Sequence, residues 1–111
     1  MKFKINNDNW EILEGNTKDL IELYKSQNDD DVYFCFGVTI KDKQLIYINK
    51  EMNFEQQIKT LKHELAHCYI WEYGLYNVPN FNEEMACDLV SSSNDFINEI
   101  VEKYKKENED V

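Results

Sequence analysis

Residues 60–75 read TLKHELAHCYIWEYGL and hold both histidines of the chain, as His63-Glu64-Leu65-Ala66-His67. No Gly or Pro interrupts this segment before Gly74, and the spacing predicts a helix from about Phe54 to Tyr73. On a helix, positions i and i+4 lie on one face about 40° apart, so both imidazoles can reach one metal ion. Glu64 then falls beside such an ion, where a carboxylate can take a proton from an attacking water and pass it to a leaving amine. Ile58, Leu61, Leu65, Cys68 and Tyr69 share a stripe about 100° wide, an ordinary core face. Ala66, Ile70 and Trp71 surround the histidines on the opposite side. A helix apolar on both sides is central in its fold, and two histidines there need polar partners.

Two histidines do not close a catalytic zinc site, which takes a third protein ligand and leaves one position open. No third His exists, and Cys68 belongs to the core stripe; Cys87 remains possible. The stronger candidate lies in Asn82-Glu83-Glu84-Met85-Ala86-Cys87-Asp88, on a last helix expected from Asn80 or Asn82 to about Lys105. There Glu84 and Asp88 form an i, i+4 carboxylate pair apart from the apolar stripe, a repulsive arrangement unless a cation relieves it. Glu84 as metal ligand and Asp88 as acceptor for a ligand imidazole would do so, with Glu83 the fallback ligand. The plainer reading is an acidic face on an acidic protein.

The 111 residues allow one domain, 1–111, with 42% apolar and 14% aromatic residues to fill a core. Twelve Lys, no Arg and 22 acidic residues give a net charge of −10, which excludes a phosphate-reading nucleic-acid binder. No apolar run approaches the length of a membrane span, and MKFKINNDNW carries no apolar signal region. Cys35, Cys68 and Cys87 are odd in number and lack CxxC spacing, so reduced thiols and a cytoplasmic setting are expected. They read more simply as small buried residues than as nucleophiles.

Upstream, residues 2–13 read as a short strand or extended arm, and Thr17 as the cap of a helix striped by Leu20, Ile21, Leu23 and Tyr24. Residues 32–40 alternate strictly, with Val32, Phe34, Phe36, Val38 and Ile40 on one face. After the turn Lys41-Asp42-Lys43, Gln44 to Asn49 completes a hairpin, and its second run would be the sheet edge on which a substrate strand adds. Trp10, Phe34, Phe36, Trp71, Phe81 and Phe96 are most simply core. The fold class is α+β: a small mixed or antiparallel sheet, with that hairpin, packed on three to four helices.

A helix bearing HELAH followed by one bearing ExxxD resembles the gluzincin class of zinc peptidases. The order hairpin (32–49), TLKHELAHCYIWEYGL (60–75) and NEEMACDLVSSSNDFI (82–97) looks like the ImmA/IrrE family and the similarly small minigluzincins. The likeness covers about residues 32–100. It implies a zincin-like fold with an HExxH active-site helix, Zn2+ on His63, His67 and Glu84, Glu64 as general base and Asp88 orienting a ligand. It also implies a metallopeptidase acting on a protein or peptide, such as a repressor in a mobile element. Larger gluzincins add a His or Tyr for the substrate oxyanion; here Tyr69, Tyr73, Tyr76 and Tyr104 are the candidates. The rival is a non-catalytic acidic interaction or regulatory protein that keeps the zincin fold, and a third reading makes the motif accidental.

Overall fold

Lys2–Ile5 (β1) and Asp8–Gly15 (β2) are joined by Asn6-Asn7, both at positive φ (49° and 69°). A two-residue hairpin turn needs that conformation, and Asn tolerates it better than most side chains. This is a computed structural model, and it describes residues 1–28, 32–74, 82–84, 86–87 and 94–108. Thr17–Gln27 forms α1. Its cap is Asn16, whose Oδ1 accepts from Asp19 N at 2.9 Å, so the cap falls one residue before the expected Thr17. Gly37–Ile40 (β3) and Leu45–Asn49 (β4) then pair antiparallel across a 3-10 turn at Lys41–Lys43.

The sheet order is β1-β2-β4-β3, with β2 and β4 parallel, so the sheet is mixed and the molecule α+β. β4 lies inside the sheet, and β1 and β3 are its outer strands among the described residues, which corrects the expectation that 44–49 forms the edge. The period of two assigns the faces. Leu20 of α1 packs with Val38 and Ile40 on one face, joined by Leu45 and Tyr47. Ile46 and Ile48 belong to the main core on the other face, with Trp10, Ile12, Leu61 and Leu65. Gly37 and Thr39, out of phase with Val38 and Ile40, therefore face the second layer.

That layer is built on Phe54–Glu72 (α2) and Asp95–Asn108 (α3). Asn53 caps α2 by accepting from Gln56 N at 2.8 Å, and Gly74 follows its end at φ 68°. Ile58, Leu61, Leu65 and Cys68 are buried on one side of α2, as are Ala66 and Ile70 on the other, which confirms its central place. Trp10 Nε1 donates to Glu72 Oε1 at 2.8 Å and ties the end of α2 to β2. Ile97, Ile100, Val101 and Tyr104 bury one face of α3.

Three expectations need further correction. The strand begins at Gly37, not Val32: Phe34 and Phe36 are 44% and 50% exposed, while Cys35 between them is buried. Alternation in 32–40 therefore does not describe one strand. Trp71 is likewise exposed instead of core. Nor is the last helix continuous from Asn82, because Asn94 Oδ1 accepts from Ile97 N at 3.1 Å and opens α3 afresh. Asn favours caps over helix interiors. Phe81, Tyr76 and Asp88 lie outside the described residues.

Candidate metal centre

His63, Glu64 and His67 occupy the middle of α2, beneath the outer strand β3. His67 Nε2 lies 3.2 Å from His63 Nε2. Glu84, whose neighbours 83, 86 and 87 are helical, reaches both rings. Its Oε2 is 3.3 Å from His63 Nε2 and its Oε1 is 3.3 Å from His67 Nε2. Ligand atoms about 2.0–2.1 Å from a tetrahedral zinc stand about 3.3 Å apart, the size of the Nε2–Nε2 separation, while Glu84 meets the two rings through different oxygens.

The other nitrogen of His67 meets a second carboxylate. Glu83 Oε2 is 2.7 Å from His67 Nδ1. In the tautomer that carries its proton on Nδ1, His67 donates to Glu83 and its Nε2 lone pair faces His63 and Glu84. Glu83, the fallback ligand in the sequence, stands against His67 Nδ1, on the side of the ring away from Glu84, and Asp88 lies outside the described residues. Lys41 Nζ is 3.5 Å from the same Glu83 oxygen and 5.3 Å from the centroid of the Trp71 ring. With both Nε2 atoms unprotonated, the converging groups would all be acceptors, an arrangement that a cation between them would satisfy.

Cys87 offers a second arrangement. It is fully buried, and its Sγ is 3.3 Å from His67 Nδ1. His63, His67 and Cys87 each present a ligand atom within 4.8 Å of the others, so this group could hold a metal ion. Cys87 meets His67 on the Nδ1 side, however, where Glu83 Oε2 also stands. A metal bound there would displace that contact.

Glu64 is buried and keeps its carboxyl beside the imidazoles. Burial pushes its pKa up, against the lowering effect of His67 and of a hydrogen bond from Thr39 Oγ1 to Oε2 at 2.9 Å. A carboxylate with raised proton affinity suits a general base working near neutrality. Gly37 permits the approach: a Cβ there would stand 2.8 Å from Thr60 Cγ2, 3.1 Å from Glu64 Cγ and 3.1 Å from the Tyr47 carbonyl oxygen.

Of the tyrosines considered for the substrate oxyanion, Tyr104 is buried and donates to Glu14 Oε1 at 2.8 Å, which commits it elsewhere. Tyr69 packs against Tyr73 and Phe96, with centroids 4.7 and 6.5 Å away. Thr39 and Lys41 were not singled out from sequence, although the period of two in β3 places Thr39 opposite Val38 and Ile40. Cys35 and Cys68 are buried, and their thiol pKa values are raised by burial first and by the Glu64 charge second. The chain matches no known protein family, no curated protein and no solved structure with which it was compared.

Proposed function

We propose that this chain is a small zinc-dependent peptidase of the gluzincin type, related in layout to the ImmA/IrrE metallopeptidases. The observation that carries the reading is the convergence of His63 Nε2, His67 Nε2 and the Glu84 carboxylate at 3.2–3.3 Å, with Glu64 buried alongside. Zn2+ bound by these three residues would polarise a peptide carbonyl and make a bound water more acidic near neutral pH. Glu64 takes the proton of the attacking water and returns it to the leaving amine, and Thr39 fixes the carboxylate for both transfers. Glu83 keeps His67 in the tautomer and rotamer that present Nε2, while Lys41 balances the Glu83 charge. The outer edge of β3 offers backbone groups to an extended protein segment as an added strand. The charge of −10 favours a segment that is neutral or basic.

The test is hydrolysis of a fluorescein-labelled unfolded protein by the zinc-loaded chain, compared with Glu64→Gln. Loss of at least a hundredfold in rate, with zinc content unchanged, supports catalysis by Glu64. Equal rates in the two chains overturn it. Cys87 favours a second reading, in which His63, His67 and Cys87 close a structural site in a non-catalytic interaction protein. That reading predicts a bound metal with a thiolate ligand and no Glu64-dependent hydrolysis.

A further inference from the structure

The two ring nitrogens of His67 face different donor sets, and the peptidase reading uses only one of them. Nε2 meets His63 Nε2 at 3.2 Å and Glu84 Oε1 at 3.3 Å. Nδ1 meets Glu83 Oε2 at 2.7 Å and Cys87 Sγ at 3.3 Å. Glu83 and Cys87 are both helical and four residues apart, the spacing that puts two side chains on one face.

We propose that Glu83, Cys87 and His67 Nδ1 form a binding site for soft, thiophilic cations, typified by Cd2+, and that such an ion turns the peptidase off by taking His67 from its centre. The consequence for activity rests on the peptidase reading; the site itself rests on Cys87. Three observations carry it. The first is the donor set. A thiolate selects soft ions over hard ones, and a metal held at about 2.3 Å by sulfur and 2.0–2.1 Å by an imidazole spaces the two ligand atoms about 3.5 Å apart, close to the separation here. Cys87 is fully buried, so an ion and not water must balance the charge of its thiolate.

The second observation is a path. A hollow of about 210 Å³ is lined by Lys41, Glu64, His67 and Glu83 and borders the ring where Glu83 stands. Lys41 Nζ, 3.5 Å from Glu83 Oε2, gives way to the arriving cation, since its side chain is one-third exposed and turns into water. The third is exclusion. A neutral imidazole has one lone pair, so a metal on Nδ1 leaves the ring proton on Nε2, where it faces His63 and Glu84 as a donor. The thiol proton is released to solvent, and nothing is oxidised or reduced. One ring thus serves either centre but not both.

The test titrates the metal-free chain with Cd2+ and follows the ultraviolet sulfur-to-cadmium charge-transfer band. The proposal predicts the band in the unmodified chain and in Glu84→Gln, and its loss in Cys87→Ala with Cd2+ affinity lower by about tenfold or more. Added zinc should clear the band from the unmodified chain, and about tenfold more zinc should be needed in Glu84→Gln, because zinc competes through the Nε2 centre. A band that persists in Cys87→Ala, or that survives saturating zinc in the unmodified chain, overturns the proposal. Zinc uptake with no band on adding Cd2+ overturns it alone and leaves the peptidase reading standing. Uptake of neither ion removes both. Where Cys87→Ala does not fold, cadmium NMR of the unmodified chain replaces it. Coupling of the metal to the β-protons of Cys87 is then required, and its absence contradicts the site.

Discussion

Glu64 is the residue at which stability and chemistry conflict. Its pKa is raised mainly by burial, so the metal-free fold favours its protonated form. For such a group the stabilising contribution is complete below the unfolded pKa, about 4.3, and is lost as pH rises through the raised folded value. Metal-free Glu64→Gln is therefore expected to melt higher than the unmodified chain at pH 7, with the gap closing toward pH 4. A thermal scan across that range checks it, and a gap independent of pH would contradict it. Glu83 makes the complementary prediction. Its carboxylate stands 2.7 Å from His67 Nδ1, so Glu83→Ala should weaken zinc binding by about 10–100-fold in a competitive chelator titration. Asparagine at the cap of α3 is a structural counterpart: Asn94→Ala should cost about 1 kcal/mol in denaturant unfolding, because Ile97 N loses its acceptor.

Among the elements, β3 and α2 are coupled through the absence of a side chain. A Cβ at Gly37 would meet the Tyr47 carbonyl, which is backbone and cannot turn aside, as well as Thr60 and Glu64. Gly37→Ala is predicted to destabilise by about 1–3 kcal/mol and to push Glu64 from Thr39, with hydrolysis falling further than stability requires. Unfolding curves and rates on the same preparation separate the two effects. The helix that carries the histidines was legible in sequence because its apolar period, its Asn53 cap and Gly74 all agree. The edge strand was misplaced because alternation in 32–36 continues that of 37–40 without sharing its backbone. Phe34 and Phe36 look like core in one dimension, and only the fold shows that they are half exposed. The last helix was overextended for a related reason. A hydrophobic wheel run from Met85 to Tyr104 passes over Asn94, whose side chain starts a new helix.

At the scale of the molecule, the sheet separates a supporting layer from a working one. α1 seals one face with Leu20, and α2 with α3 encloses the main core on the other. The α+β class followed from element types, whereas the parallel pairing that makes the sheet mixed and the strand order β1-β2-β4-β3 did not, since pairing β2 with β4 joins residues about thirty-four apart. At the centre, the pairing of His63 with His67 was readable from spacing alone. The contact of Glu83 with His67 Nδ1 was not, because helical spacing alone cannot tell which carboxylate meets Nδ1 and which meets Nε2. No helix among the described residues is long and apolar enough to cross a membrane.

The measurement that bears most directly on the account is X-ray absorption at the zinc edge on the zinc-loaded chain. The arrangement of His63, His67 and Glu84 predicts one zinc per chain with only nitrogen and oxygen neighbours, at about 2.0–2.1 Å, and the outer-shell signature of two imidazoles. A sulfur neighbour at about 2.3 Å would move Cys87 into the site and Glu84 out of it, and failure to retain zinc would contradict the metal centre altogether.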